Sequence, residues 1–170
     1  MTAYIALLRA VNVGGTGKLP MSELKAMCEA AKFVKVKTYI ASGNVVFLSR
    51  NSEVQVKKTL EAALAVYAGK PVGVMVRTAA EMAAVAAANP FPEAEPNRTV
   101  AIFLDAPPPA NAFDAATGVR GEVMAFGKRE IYVHYKEGMA DSRLKIPAAK
   151  NGTARNLNTV AKLAELAGQL

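Results

Sequence analysis

The stretch YIALLRAVNVGGTGK, residues 4–18, decides how the rest of the chain is interpreted. Its first half is apolar and includes Ile5, Leu7 and Leu8, so we predict a central β-strand over residues 3–11. Its second half holds three glycines and ends at Lys18. Glycine favours a loop because it adopts backbone conformations that are closed to other residues. The stretch therefore predicts a buried strand that leads into a basic, glycine-rich loop.

The elements that follow alternate between helices and strands. The spacing of apolar residues predicts helices at 20–32 and 53–68 and strands at 34–41, 45–48 and 71–77. Ser42, Gly43 and Asn44 separate the second and third strands, and a Gly-Asn pair is a frequent centre of a hairpin turn. The resulting order is strand, helix, strand, strand, helix, strand, which is that of the ferredoxin-like fold.

The second half of the chain repeats part of this order. An alanine-rich helix at 79–88 ends at the break NPFP, residues 89–92, which resembles a linker. We then predict strands at 100–105, 122–126 and 131–135, short helices through Phe113 and at 141–144 before Pro147, and a final helix at 156–168. No final strand is evident. The fold class is therefore α+β with two ferredoxin-like (βαββαβ-type) subdomains, the second incomplete or modified. The predicted division is residues 1–78, a helix and linker at 79–97, and residues 98–170 with the C-terminal helix.

Charge and cysteine content limit the functional classes. The net charge is +7, and residues 1–70 hold ten Lys and Arg against four Glu. Such an excess favours anionic partners without defining a reaction. A single cysteine, Cys28, excludes an intramolecular disulfide framework and a multi-cysteine metal site, and its place in a helical pattern favours a buried thiol. No signal peptide and no apolar run of roughly 20 residues is present, so we expect a cytoplasmic protein.

Four motifs resemble the bacterial family of unknown function DUF1697. They are RAVNVGG at residues 9–15, YIASGNVVF at 39–47, NPF at 89–91 and TARNLNTV at 153–160. The resemblance extends over nearly the whole chain and implies two ferredoxin-like halves, while it implies no activity. The chain departs from the family at Leu157, where the family commonly has tryptophan.

The first candidate site lies at one edge of the first predicted sheet. In a ferredoxin-like half, the loop after the first strand and the turn between the second and third strands emerge at the same edge. Glycine-rich backbone and cationic side chains together form anion sites, whereas the alternative is a flexible loop whose glycines only serve the turn. The predicted ligand-binding residues at this edge are Arg9, Asn12, Gly14, Gly15, Lys18, Ser42, Gly43 and Asn44.

Known nucleotide and catalytic motifs do not fit the sequence. Gly17-Lys18 lacks the glycine five positions upstream and the Ser/Thr downstream that a phosphate loop requires, and Pro20 stands where a dinucleotide fingerprint needs its third glycine. An RNA-binding sheet needs several aromatics, but only Tyr4 and Phe47 are available, and Tyr4 fits a core position better. The single histidine, His134, excludes a histidine-rich zinc site. No cofactor is expected, and the sequence indicates no reaction.

The second candidate site is KNGTARN, residues 150–156, which we expect to open the final helix. Thr153 or Asn156 is a suitable cap for that helix. Arg155 beside the positive end of a helix dipole is unfavourable alone, and an anion would reverse this, whereas a solvated or ion-paired arginine is the equal alternative. The predicted ligand-binding residues here are Lys150, Thr153, Arg155 and Asn156.

The sequence therefore favours a protein that binds a small anionic ligand bearing phosphate or carboxylate. The alternative is a basic interaction module that docks on nucleic acid or on an acidic protein. A broad basic surface would favour that alternative, and its candidate residues are Lys32, Lys35, Lys37, Lys57 and Lys58.

Overall fold

A computed structural model describes residues 1–9 and 19–170 of the chain. These residues fold into two compact units, one made of Met1–Ala83 with Lys162–Leu170 and the other of Ala84–Ala161. The first unit holds strands β1 (Thr2–Leu8), β2 (Val34–Thr38), β3 (Asn44–Ser49) and β4 (Val74–Thr78), with helices α1 (Met21–Ala30) and α2 (Glu53–Ala68). Its sheet is antiparallel in the order β2-β3-β1-β4. The predicted element order and the central position of β1 are confirmed.

Local signals explain where α2 begins and ends. The Ser52 hydroxyl accepts a hydrogen bond from the Gln55 backbone N–H, and the Gln55 side chain accepts one from the Ser52 N–H. This reciprocal capping box satisfies donors that the first helical turn leaves unpaired. At the other end, Gly69 adopts a left-handed conformation with φ of 70°, which glycine tolerates without strain. The helix therefore spans residues 53–68, as its sequence predicts.

The core of the first unit lies between one face of its sheet and its helices. Tyr4, Ala6 and Leu8 of β1 pack with Val45 and Phe47 of β3 in this cluster. Tyr4 is 5% exposed, and its hydroxyl donates to the Asn51 carbonyl at 2.7 Å. Tyr4 therefore lies in the core, and its ring is not presented for stacking on a base.

The second unit contains a strand that the sequence analysis missed. Its strands are β5 (Thr99–Phe103), β6 (Val123–Phe126), β7 (Glu130–His134) and β8 (Thr153–Asn156), in the antiparallel order β6-β7-β5-β8. β5 is central, as expected for residues 100–105. The prediction that this half lacks a final strand is wrong, because β8 pairs with β5 over four residues. That pairing joins segments about fifty positions apart, which no local pattern reveals.

The prediction of helices for the second half of the chain is partly wrong. Helix α3 (Ala79–Ala87) agrees with the prediction, and α4 (Leu157–Gly168) begins one residue later than expected. Residues 110–115 form turns, however, and residues 141–144 form no helix. Pro147 starts a short 3-10 turn. Backbone hydrogen bonds of the turn type run through this loop, and Phe113 stacks on Phe126 with ring centroids 4.1 Å apart.

The described residues thus form a mixed α+β protein with two four-stranded antiparallel sheets and four α-helices. The core of the second unit gathers Val100, Leu104, Ile131, Val133 and Ile146. None of the helices within the described ranges is both long and apolar enough to cross a membrane.

Candidate functional site

The edge of the first sheet brings Arg9 to the hairpin turn. The Leu8 N–H donates to the Gly43 carbonyl at 2.8 Å, and the Arg9 N–H donates to the Gly73 carbonyl at 2.9 Å. These two bonds fix the end of β1 between the turn on one side and the start of β4 on the other. Arg9 is exposed, although the five residues before it are buried. The predicted convergence of Arg9 with the 42–44 turn is therefore observed.

The turn itself is held by the Asn44 side chain. Asn44 is fully buried, and its amide nitrogen donates to the Tyr39 carbonyl at 2.9 Å and to the Ser42 hydroxyl at 2.8 Å. Gly43 adopts φ of 86°, a left-handed conformation in which a β-carbon would be strained. Asn44 and Gly43 consequently define the shape of the turn, and the exposed Ser42 lies at its surface.

Four predicted ligand-binding residues of this edge, Asn12, Gly14, Gly15 and Lys18, lie outside the described residues. A β-carbon at Gly73 would contact Arg9 Cβ and Cδ, each at 3.6 Å. Gly73 therefore lies directly beside the arginine side chain. Sequence reasoning missed this neighbour because β4 was predicted to begin at Pro71 and nothing local connects Gly73 to Arg9.

The second predicted site has a different structure from the one expected. Residues 153–156 form β8 rather than the start of the helix, and Thr153 is buried within the strand. Only Asn156 acts as a cap, since its side-chain oxygen accepts from the Thr159 N–H at 2.9 Å. Lys150 lies on the surface after the 3-10 turn. The prediction that residues 150–156 open the final helix is therefore wrong, while ligand binding by Lys150, Thr153, Arg155 and Asn156 stays a prediction.

Arg155 is buried in β8 rather than solvated at a helix end. It is 8% exposed, and its guanidinium donates to the Thr153 hydroxyl at 2.8 Å and to the Ala154 carbonyl at 2.9 Å. Burial lowers the pKa of Arg155 from 12.5 to about 10 because the cation loses hydration. The helix-dipole argument for an anion at Arg155 therefore does not apply. Because Arg155 is buried and hydrogen-bonded, we expect its replacement to lower the free energy of unfolding.

A second buried arginine occupies the corresponding position of the first sheet. Arg77 of β4 is 1% exposed and donates to the Val76 carbonyl at 2.9 Å. Each arginine comes one residue before a helix cap, Thr78 in one case and Asn156 in the other. The repeated order of arginine, capping residue and helix was visible in the sequence, but identity between the halves is too slight to draw attention to it.

The described residues show neither a reactive cysteine nor a cluster of metal ligands. Cys28 is fully buried, and burial raises its thiol pKa from 9.0 to about 12, which keeps it protonated and unreactive. No group of three or more His, Cys, Asp or Glu within 1–9 and 19–170 is arranged to hold a metal ion. The Ser42 hydroxyl accepts a hydrogen bond from the Asn44 side chain, and His134 Nδ1 contacts the Thr99 hydroxyl.

Comparison with known proteins gives a family and a structural likeness. The family model described as "Protein of unknown function (DUF1697)" matches residues 1–132. A solved structure described as that of the conserved bacterial protein SP0830 from Streptococcus pneumoniae is 25% identical, with a TM-score of 0.80 over 98% of each chain. None of the curated proteins matches the chain. The TARNLNTV motif that contains β8 lies beyond the residues matched by the family model.

Proposed function

The chain belongs to the DUF1697 family of proteins of unknown function, and from that premise we propose that it binds a small anion bearing phosphate or carboxylate at the Arg9 edge of the first sheet. The observation that carries this proposal is the pair of backbone hydrogen bonds that hold Arg9 beside the 42–44 turn and Gly73. An exposed arginine with an anchored backbone suits recognition of planar carboxylates and phosphates through paired hydrogen bonds.

The position of Arg9 limits what the ligand is. The arginine follows a fully buried stretch of β1, so its backbone is anchored while its side chain is exposed. The Asn44 amide orients the Ser42 hydroxyl at the same edge. These contacts place one arginine and one serine hydroxyl at this edge, a set of donors that suits a compact anion.

The test compares two arginines on the same sheet. Arg50 is exposed and follows the far end of β3, so Arg50→Gln removes the same charge at the opposite edge. Inorganic phosphate is titrated into the wild type and into the Arg9→Gln and Arg50→Gln variants, and the backbone amide signals of Ser42–Asn44 are followed by NMR. We expect saturable shifts in the wild type and Arg50→Gln that are lost in Arg9→Gln. Equal loss in both variants, or no loss in either, contradicts the proposal. Acetate in place of phosphate distinguishes the two ligand classes.

The alternative of a basic docking surface has a competing structural explanation. Lys35 and Lys37 are exposed on β2, the edge strand of the first sheet, and the exposed Lys32 lies two residues before that strand. Lysines and irregular pairing on an edge strand prevent its association with other strands, and β2 carries a register shift between Val34 and Lys37. Lys57 forms an ion pair with Glu61 at 3.2 Å. These charges are thus accounted for without a nucleic-acid partner.

We also infer that both units are ferredoxin-like and arose by duplication. What supports this is the matching strand orders, β2-β3-β1-β4 and β6-β7-β5-β8, and the matching positions of Arg77 and Arg155. The second unit differs because turns replace the helix after its first strand. The cytoplasm remains the proposed location, and a buried free thiol is compatible with its reducing conditions.

A further inference from the structure

A cleft of about 330 Å³ lies in the second unit beside the single histidine. Its walls are formed by residues just before β5 and at the end of β7, namely Glu93, Ala94, Glu95, Arg98, His134 and Lys136. The volume is at the lower end of the range for small-molecule sites, about 300–1,000 Å³. The cleft is separate in sequence from the Arg9 edge, and the proposed function does not use it.

The buried Thr99 hydroxyl selects one tautomer of His134. Thr99 is fully buried and lies opposite His134 in the β5–β7 register. Its hydroxyl donates its only hydrogen to the Glu95 carbonyl at 3.3 Å. With that hydrogen on the Glu95 carbonyl, the 3.2 Å contact between Thr99 Oγ1 and His134 Nδ1 is one that the imidazole donates. The neutral ring therefore carries its proton on Nδ1, and Nε2 keeps a lone pair.

His134 Nε2 is accessible from solution. No buried side-chain nitrogen or oxygen in the described part of the chain lacks a hydrogen-bond partner. Among the described residues, the His134 ring makes its hydrogen bond through Nδ1, and the ring packs against Phe91 with 5.8 Å between centroids. Nε2 is therefore not enclosed, and the fixed ring of His134 lines the cleft. This arrangement offers a hydrogen-bond acceptor of fixed orientation.

Two cationic residues, Arg98 and Lys136, line the cleft together with His134. The Arg98 guanidinium is held by the Lys136 carbonyl at 2.9 Å and by the Glu95 carboxylate at 3.4 Å. Lys136 is exposed, two residues beyond His134. Because Glu93 and Glu95 also line the cleft, its charge is nearly balanced. Charge alone therefore attracts an anion only weakly here. The hydrogen bond to Nε2 has to distinguish one anion from another.

We propose that this cleft binds a small phosphate-bearing ligand that keeps a protonated oxygen. The ligand hydroxyl donates to His134 Nε2, and its negative oxygens accept from the Lys136 ammonium. The Thr99 hydroxyl acts as a positioning group that holds the acceptor tautomer. An anion of the same shape and charge without a proton lacks the first of these bonds and leaves Nε2 facing an oxygen lone pair.

Hydrogen phosphate and sulfate provide the matched probes. At about pH 8 both carry two negative charges, but only phosphate retains a hydroxyl. Because the chain has one histidine, its Cε1–H signal reports this cleft alone. We expect phosphate to shift that signal saturably and to bind about tenfold more tightly than sulfate at equal ionic strength, the ratio expected for one net hydrogen bond. Equal affinities, or no shift with either anion, overturn the proposal.

Variants test each contact separately. Lys136→Gln, at an exposed position that folding tolerates, should weaken phosphate binding about fivefold or more, and Arg9→Gln should leave the His134 response unchanged. Long-range ¹H–¹⁵N spectra should show the proton on Nδ1 in the wild type, and a proton on Nε2 overturns the argument. Thr99→Val should release the tautomer and bring the phosphate and sulfate affinities together. If Thr99→Val does not fold, the wild-type tautomer and Lys136→Gln still decide the outcome. The Arg9 site is tested by other signals, so either proposal can fail alone.

Discussion

Because the thiol of Cys28 is buried, we expect the free energy of unfolding of the first unit to fall at alkaline pH. Cys28 is fully buried in α1, and desolvation, followed by the charge of Glu29, raises its pKa from 9.0 to about 12. Above about pH 9 the thiol ionises in the unfolded chain but not in the folded one. The stability that the protonated thiol contributes is therefore complete below about pH 9 and is lost as the pH rises towards 12.

The magnitude follows from the size of the pKa difference. Each pKa unit corresponds to about 1.4 kcal/mol, so the full difference is worth about 4 kcal/mol in the free energy of unfolding. At about pH 10 the expected loss is about 1.4 kcal/mol, which is measurable against a typical domain stability of about 5–15 kcal/mol. The Tyr132 hydroxyl, which donates to the Val85 carbonyl, also has a raised pKa of about 12. Comparison of the wild type with Cys28→Ala cancels the contribution of Tyr132, because both proteins contain this tyrosine.

The assay is urea unfolding of the wild type and Cys28→Ala between about pH 7 and 10.5. At about pH 7 the variant should be about 1 kcal/mol less stable because it leaves a small cavity. The wild type should lose more stability than the variant as the pH rises, and the two should become equal near about pH 10. Parallel curves would show that the thiol ionises equally in both states and would refute the burial argument. Iodoacetamide should label Cys28 in urea and leave it unlabelled in the native state.

Two further predictions concern a glycine and the basic surface. Gly118 has φ of 71°, and a β-carbon there would lie 2.1 Å from the Arg143 carbonyl oxygen, whereas Gly121 has φ of 85° with no atom within 4 Å. Gly118→Ala should therefore cost about 3 kcal/mol or more in urea unfolding and Gly121→Ala about 1 kcal/mol, and similar costs would contradict the contact. If the protein docks on duplex DNA, the logarithm of its affinity should fall with log salt at about −0.9 per phosphate contacted. We expect weak binding at most, so tight binding at about 200 mM salt would contradict our view of the edge-strand lysines, and no binding at about 50 mM would remove this alternative.

Elements with local signals were predictable from the sequence. Helix α2 has its capping box at Ser52 and Gln55 and its terminal glycine at Gly69, all within a few residues of its ends. The turn at Gly43 follows from a glycine and an asparagine between two apolar runs. The prediction that Cys28 is buried is confirmed for the same reason, because the apolar spacing of α1 places it on the inner face.

The second half was harder because its elements depend on distant partners. β8 has four residues, Thr-Ala-Arg-Asn, and exists through its pairing with β5. Short polar strands of this kind have no helical or alternating apolar signal of their own, so the local pattern was interpreted as a helix start. In the turns at 110–115, Phe113 stacks on Phe126, a contact between residues 13 positions apart that no local pattern reveals.

The sequence by itself determined the α+β class, the order of the elements in the first unit, the helix boundaries at capping residues and the meeting of Arg9 with the hairpin turn. The class and the helix boundaries follow from apolar periodicity and capping over short distances along the chain, and the meeting of Arg9 with the turn follows from the ferredoxin-like order of these elements. Only the tertiary structure decided that Arg155 is buried in a strand and that Thr99 Oγ1 contacts His134 Nδ1. The reason is physical: burial and cross-strand hydrogen bonding depend on which distant segments pair, and residues 99 and 134 become neighbours only when β5 and β7 form their ladder.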